Sequence, residues 1–311
     1  MQPERVEWGT PALDTGPAVS SGSHPAVSVL VVNYHAYAEL DACLESLARQ
    51  RRPVEVIVVD QDTREAERRV LECRYRDVRW VAQTTNSGFA AGVNLAARHA
   101  SGNYLYLVNP DATVAPDTAL GLSAWLDEHP KVAVVGSRVL DADGGIQGSA
   151  RRFPGVSTFF GGRTAWMTRH FPRNPLTRRN VLTGSHVRDP LEVDWVSGAS
   201  MMVRRRAFDM VGGMDERFFL YWEDADFCRR LRDAGMSTVY HPGLSVVHLA
   251  GRSGGTSRRA VIAFHRSAYR YFRKHAGAIG LIATPLVAVA LTLRLGIKLL
   301  GRGAGYKKGP E

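Results

Sequence analysis

An unbroken apolar, β-branched run from Val27 to Val32 closes on the polar Asn33, the pattern of a strand buried on both faces. Leu40, Cys43, Leu44 and Leu47 then recur at helical spacing between Tyr37 and Gln50, and Pro53 ends that segment. A second buried strand runs from Val54 to Val59 and finishes at Asp60. Strand, helix and strand with short connections predict a βαβ unit in a mostly parallel sheet. The theme continues with a short strand at Val78 to Val81, a helix from Phe89 to His99, and a strand from Tyr104 to Val108 ending in Asn109-Pro110-Asp111. A helix near Pro116 to Glu128, strands at Val132 to Val139 and Val193 to Val203, a helix from Glu223 to Ala234 and a strand from Leu244 to Val247 complete the pattern.

Two stretches depart from it. Arg151 to Pro190 is rich in Arg, Gly, Pro and Asn, with Phe153, Phe159, Phe160, Trp166 and Phe171 interspersed. Aperiodic connections of this length are uncommon unless they bind something, so a functional loop is expected. Ser257 to His275 reads as a basic helix, and the apolar run from Ala276 to Leu293 behind it is broken by Pro285. That run is close to the minimum that crosses a bilayer. A single span would export its more basic flank, so an interfacial or re-entrant anchor is favoured, with a buried C-terminal helix pair as the alternative.

Composition narrows the partners. Hydrophobic residues make up 45% of the 311, enough for a full core, and the net charge of +10 suits nucleotides, lipid diphosphates, anionic headgroups or nucleic acid alike. Cys43, Cys73 and Cys228 have neither zinc-site spacing nor a disulfide framework, which fits a reducing cytosol. The polar first 25 residues lack an apolar signal core and read as a disordered leader.

Three strands end in polar residues, and ligands in open α/β sheets bind at carboxyl strand ends, so Asn33, Asp60 and Asp111 are candidates for one crevice. No dinucleotide fingerprint or P-loop accompanies them. A carboxylate held at a strand end, as Asp111 would be, can ligate Mg²⁺ or Mn²⁺ that bridges to a diphosphate; the plain alternative is an Asx-Pro turn. Glu223, Asp224 and Asp226 begin a helix, where a cap is the plain explanation. Three acids in four residues exceed a cap's needs. The preceding Phe218, Phe219, Leu220, Tyr221 and Trp222 would exclude water and lift a carboxylate toward general-base duty. His248 precedes Gly251-Arg252-Ser253-Gly254-Gly255 and could complete a metal site, with Arg252 and Ser253 clamping phosphate. Asn86-Ser87-Gly88-Phe89-Ala90-Ala91-Gly92-Val93-Asn94 enters a helix through small residues, which allows backbone and Asn side chains to approach a nucleotide or sugar.

Together the segments VSVLVVNY, VEVIVVDQDT, NSGFAAGVN, YLYLVNPDATV, DWVSGASMMVRR, GGMDERFFLYWEDADFCRRLRDAG and VVHLAGRSGG resemble the family 2 glycosyltransferases from Val27 to His275. The resemblance implies an α/β GT-A fold, with a mostly parallel central sheet flanked by helices. A Rossmann-like nucleotide-binding half (26–140) and an acceptor half (141–256) would follow the leader (1–25), and 257–311 would form a membrane-associating helical appendage. It implies that Asp60 reads the nucleobase, that Asp111 is the last acid of a metal-binding DXD element with His248 as further ligand, and that Asp224 is the base of an inverting transfer. Asn33, Asn86, Gly88, Asn94, Asn109 and Arg252 would contact the donor, and Trp195, Trp222, Glu223 and Asp226 would support the acceptor side. Two departures stand out: Asn109 replaces the usual first acid of DXD, and Asp60-Gln61-Asp62-Thr63 replaces Asp-Asn-Gly-Ser.

Within the family, NPD at Asn109 to Asp111, FPRNPLTRR at Phe171 to Arg179 and HRSAYRYFRKHAG at His265 to Gly277 look most like bacterial rhamnosyltransferases of cell-wall and O-antigen assembly. These use dTDP-rhamnose and commonly a polyprenyl-diphosphate-linked acceptor, at the cytoplasmic face of the membrane. A transferase of galactofuranose, glucose or N-acetylglucosamine is the alternative within the class. A nucleic-acid-binding protein is disfavoured because the expected crevice is acidic. A catalytically dead scaffold is disfavoured by the intact acid triplet.

Overall fold

In the computed structural model, residues 26–153, 181–184, 186–249, 257–282 and 284–303 are described. Their centre is a nine-stranded sheet in the order β3-β2-β1-β4-β10-β6-β11-β5, with β8 on β11. The strands are β1 (Val27–Asn33), β2 (Glu55–Asp60), β3 (Arg79–Ala82), β4 (Tyr104–Val108), β5 (Ala112–Val114), β6 (Val132–Leu140), β8 (Leu191–Val193), β10 (Ser200–Arg204) and β11 (Ser237–His248). β7 (Ala150–Arg151) and β9 (Trp195–Val196) form a separate antiparallel pair. Six of the nine strands point one way; β5, β8 and β10 oppose them.

Alternation along β1 explains the layers. Val29 and Val31 face α1 (Tyr37–Ala48) and α4 (Thr118–Glu128), packing with Leu40, Leu44, Leu122 and Leu126. Leu30 and Val32 face the other way, toward Ala90, Val93 and Ala97 of α3 (Phe89–His99) and Phe227 and Leu231 of α6 (Glu223–Asp233). Each such fully buried leucine contributes about 1.5–3 kcal/mol. Two further helices, α2 (Glu65–Arg74) and α5 (Arg205–Met210), complete this part.

Several expectations are corrected in detail. The segment between β2 and β3 holds α2, whose sole buried residue is Leu71, too little for an apolar period to show. The strand expected from Val193 to Val203 is three pieces, because Ser197, Gly198 and Ala199 turn the chain before β10. The strand expected at Leu244 to Val247 extends back to Ser237. Its pairing with β6 slips between His241 and Ser245, around Pro242-Gly243, since proline cannot donate to the ladder. Residues 154–180 of the expected loop lie outside the described residues.

The C-terminal helices are α7 (Arg258–His275), α8 (Gly277–Ile282) and α9 (Thr284–Gly303). Pro285 sits in the first turn of α9, where its missing N–H costs nothing. Val287 and Leu291 bury against Ala268 and Phe272 of α7, while Leu286, Val289, Leu293, Ile297 and Leu300 form an exposed apolar stripe. Among the described residues no helix is long and apolar enough to cross a membrane.

Candidate active site

The directions of β1, β2, β4 and β11 bring Asn33, Asp60, Asn109 and His248 to the same sheet edge, where α/β sheets bind ligands. Asn33 and Asp60 are buried there and bonded to each other: Asn33 Nδ2 donates to Asp60 Oδ1 at 2.8 Å, and Tyr37 Oη donates to Oδ2 at 2.7 Å. Burial raises the Asp60 pKa, and these two donors oppose the rise. Both side chains are thus buried at the carboxyl end of the sheet and held by partners within the protein.

A contact between Gln61 and the loop at Gly88 joins this end of the sheet to the acid-bearing half. Gln61 Nε2 donates to Ser87 Oγ (2.9 Å) and to the Gly88 carbonyl (3.1 Å), and Asn86 Oδ1 accepts the Gly88 N–H (2.9 Å). Gly88 has φ of +94°, and a Cβ there would lie 2.4 Å from the Phe219 carbonyl oxygen, which accepts the Phe89 N–H at 2.9 Å. Gly88→Ala is therefore expected to destabilise the fold by about 2 kcal/mol or more, read as a lower midpoint in urea with the slope unchanged.

Asp111 has the chemistry of a cation ligand. Both carboxylate oxygens are buried and accept no hydrogen bond, although His248 Nε2 lies 3.1 Å from Oδ1. The surrounding network explains the geometry. Gln147 Nε2 donates to the His248 carbonyl and to Asp141 Oδ1, each at 2.8 Å, which fixes its amide and leaves Oε1 to accept from His248 Nδ1 at 3.1 Å. Asn109 Nδ2 donates to Nε2 at 3.1 Å, so Nε2 is the unprotonated nitrogen, its lone pair taken up by Asn109 and lying 3.1 Å from Asp111 Oδ1. An orphaned carboxylate beside an imidazole lone pair fits a divalent cation, with Gln147 holding the ring as outer-shell residues do. Among the described residues no group of three His, Cys, Asp or Glu side chains gathers, so a cation here would draw its remaining ligands from substrate oxygens and water.

Asp224 sits in the first turn of α6 and is partly accessible. Burial pushes its pKa up to about 6, against the pull of N–H bonds from Ala225 (2.8 Å) and Gly198 (3.4 Å) and of the Arg151 charge. Glu223 is buried beside it, and burial, then the Asp224 charge, raise its pKa well above the usual range. Tyr221 and Trp222 precede the helix with φ of 67° and 74°, a costly left-handed pair. The rings of Phe264 and Tyr271 from α7 pack on Trp222 at 5.5 and 5.4 Å and hold that turn. Trp195 joins the same aromatic group and donates from Nε1 to the Arg152 carbonyl at 3.0 Å.

The two acids are linked by one turn. Gly198 donates to Asp224, and the next residue, Ala199, accepts the Asn109 N–H at 3.3 Å. The start of β10 thus ties the Asn109-Pro110-Asp111 turn to the N-terminus of α6.

Two expected site residues do other work. Asn94 holds a loop: its amide accepts the Met214 N–H (2.8 Å) and donates to the Met214 carbonyl and Glu216. Asp226 is buried and bonds Arg230, Lys274 and His275 at 2.7–2.9 Å, tying α6 to α7. Burial alone would raise its pKa, but the bonds from His275, Lys274 and Arg230 lower it. Arg252 lies outside the described residues. Gln61, Gln147 and Gly198 escaped the sequence reading because they act through single polar contacts across the fold, which leave no local pattern.

An orphaned carboxylate-imidazole pair and a desolvated carboxylate, tied together through the Gly198-Ala199 turn at the end of an α/β sheet, suit a group-transfer enzyme. Residues 28–209 match the model of "Glycosyl transferase family 2", and residues 178–250 match that of the "N-terminal domain of galactosyltransferase". The chain belongs to glycosyl transferase family 2. It is 31% identical over 266 residues to the N-acetylglucosaminyl-diphospho-decaprenol L-rhamnosyltransferase of Mycobacterium tuberculosis, covering 80% of this chain and 85% of that one. It is 26% identical to the rhamnosyltransferase WbbL of Escherichia coli, covering 60% and 70% respectively. A mannosyltransferase from Pyrobaculum calidifontis, solved with GDP-Man and Mn²⁺, shares the fold at a TM-score of 0.55 and 18% identity, covering 92% of this chain and 77% of that one.

Proposed function

We propose that the chain transfers L-rhamnose from dTDP-rhamnose to a polyprenyl-diphosphate-linked glycan, with inversion at the anomeric carbon. The reading rests on one observation above others: the Gly198-Ala199 turn couples the Asn109-Pro110-Asp111 turn to Asp224, accepting the Asn109 N–H at Ala199 and donating from the Gly198 N–H to the Asp224 carboxylate. The mycobacterial and Escherichia coli relatives named as rhamnosyltransferases support the sugar, and the decaprenyl-diphospho acceptor in the first name supports the lipid.

In this reading the nucleoside lies over the floor made by Asn33 and Asp60, beside Asn86, Gly88 and Asn109. Asp111 and His248 hold Mg²⁺ or Mn²⁺, which when bound neutralises charge on the departing nucleoside diphosphate; the Mn²⁺ in the Pyrobaculum structure accords with this assignment. Asp224 takes the proton of an acceptor hydroxyl, and that oxygen attacks from the face opposite the leaving group, so the configuration inverts. Glu223, Trp222 and Trp195 wall the acceptor side, and Arg252 clamps phosphate. The exposed apolar stripe of α9 supports peripheral association with a membrane, on its cytoplasmic face.

The test is a donor panel on one N-acetylglucosaminyl polyprenyl-diphosphate acceptor. Turnover is expected with dTDP-rhamnose, and background with UDP-galactofuranose, UDP-glucose and UDP-N-acetylglucosamine. Preferred use of any of the latter three would overturn the rhamnose assignment.

A further inference from the structure

Along α7, Arg259, Arg266, Arg270 and Arg273 follow one another at steps of seven, four and three residues, which places all four on one helix face over about 21 Å. All are exposed, and among the described residues none has a carboxylate within ion-pair distance. Their neighbours behave differently. Arg217 is tied to Asp215, and Lys274 to both Asp215 and Asp226. A row of like charges on one face repels itself, and nothing in the packing of α7 requires it: the helix buries Ala268, Tyr271 and Phe272 on its opposite side. The row is suited to a dense anion.

The stripe lines a groove of about 1000 Å³ that also receives Phe219, Ile262 and Tyr269. Cations over an aromatic and aliphatic floor match an amphiphile whose charge is concentrated at one point. Phe219, at the groove's edge, is five residues before Asp224 and accepts the Phe89 N–H through its carbonyl, while Ser267 of α7 donates to the Leu220 carbonyl at 3.0 Å. On the other side α9 packs on α7 and exposes Leu286, Val289, Leu293, Ile297 and Leu300. The groove therefore borders, through Phe219, the segment that leads to Asp224, on a helix whose opposite face carries the apolar α9.

We infer that this groove seats the diphosphate of the lipid-linked acceptor, with the guanidinium forks of Arg266, Arg270 and Arg273 as its anion ligands. The inference rests on the lipid-acceptor reading above and is separate from its sugar assignment. Arginine rather than lysine suits the role, because a planar fork pairs two phosphate oxygens at once. An ordinary phospholipid headgroup presents one phosphate, so a diphosphate should be preferred over a surface of equal charge.

The experiment uses the full chain, without donor and in excess chelator so that no cation-bridged diphosphate forms at Asp111. Phosphatidylcholine vesicles doped with undecaprenyl diphosphate are compared in co-sedimentation with vesicles doped with phosphatidylglycerol to the same surface charge. Wild type should bind the diphosphate vesicles roughly tenfold more tightly. Arg266→Gln/Arg270→Gln/Arg273→Gln should lose that preference while keeping the wild-type melting temperature, since these side chains are exposed. Equal binding of both vesicle types by wild type would make the stripe a general anionic-surface contact and overturn the inference. An undiminished preference in the triple variant would overturn it too. Because no sugar donor is present, a donor panel that rejects dTDP-rhamnose leaves this result readable.

Discussion

Asp224→Asn is expected to lower kcat by about 10²–10⁴-fold, the range general-base catalysis spans, while donor binding, followed by thermal shift, stays near that of wild type. The amide keeps the shape of the carboxylate and can still accept the Ala225 N–H, but its NH2 then replaces the oxygen that accepts the weaker 3.4 Å bond from Gly198, so the loss reports the proton acceptor and at most that one long bond. A second signature comes from pH. Burial pushes the Asp224 pKa up to about 6, so wild-type kcat/KM should fall as pH drops through that value and the carboxylate takes up its proton. The variant's residual activity should lack this limb. A stability readout separates the role from a folding defect: a pKa raised by burial means that the ionised form strains the fold above pH 6. Removing the charge should therefore hold or raise the melting temperature at neutral pH. Turnover near the wild-type rate would assign the base elsewhere.

The frame of this arrangement was legible in the chain, and the reason is local. β1, β2 and β4 are apolar runs that stop abruptly at Asn33, Asp60 and Asn109, and a parallel sheet aligns such stops at one edge. The acids of α6 were legible by their density at a helix start. What each acid does was not, because direction along a helix turn cannot be read from composition. Asp224 faces Gly198, whereas Asp226, two residues on, points to Lys274 and His275. The bonds of Asn94 were illegible for a similar reason. Its place beside small residues suggested a ligand, yet its partner, the Met214 backbone, is 120 residues away.

The left-handed Tyr221-Trp222 turn shows how the parts depend on one another. Two non-glycine residues at positive φ cost on the order of 1–3 kcal/mol each, and the compensating contacts come from Phe264 and Tyr271 of α7. Asp226 adds its bonds to Lys274 and His275. The C-terminal helix that carries the arginine stripe is thus the same element that holds the base-bearing turn in place. In the proposed reading, acceptor capture and base positioning would share one support.

Asp111→Ala is expected to reduce transfer on the order of 10³-fold, comparable to removing a principal charge stabiliser of the leaving group. Its physical ground is the pair of buried oxygens that accept no hydrogen bond: a carboxylate in that state is tolerated where a cation joins it. The prediction has a readout apart from turnover. Wild type should bind Mn²⁺ in a titration followed by electron paramagnetic resonance, tighter in the presence of nucleoside diphosphate, and Asp111→Ala should abolish that tightening. Gln147→Leu should weaken Mn²⁺ affinity by about 10–100-fold without touching a ligand, because Gln147 Oε1 fixes the His248 tautomer that presents the Nε2 lone pair. If Gln147→Leu bound the ion as wild type does while Asp111→Ala did not, the carboxylate would hold the cation without the imidazole. Full activity of wild type in excess chelator would remove both residues from metal binding and leave the orphaned oxygens to be matched by a donor from the substrate itself.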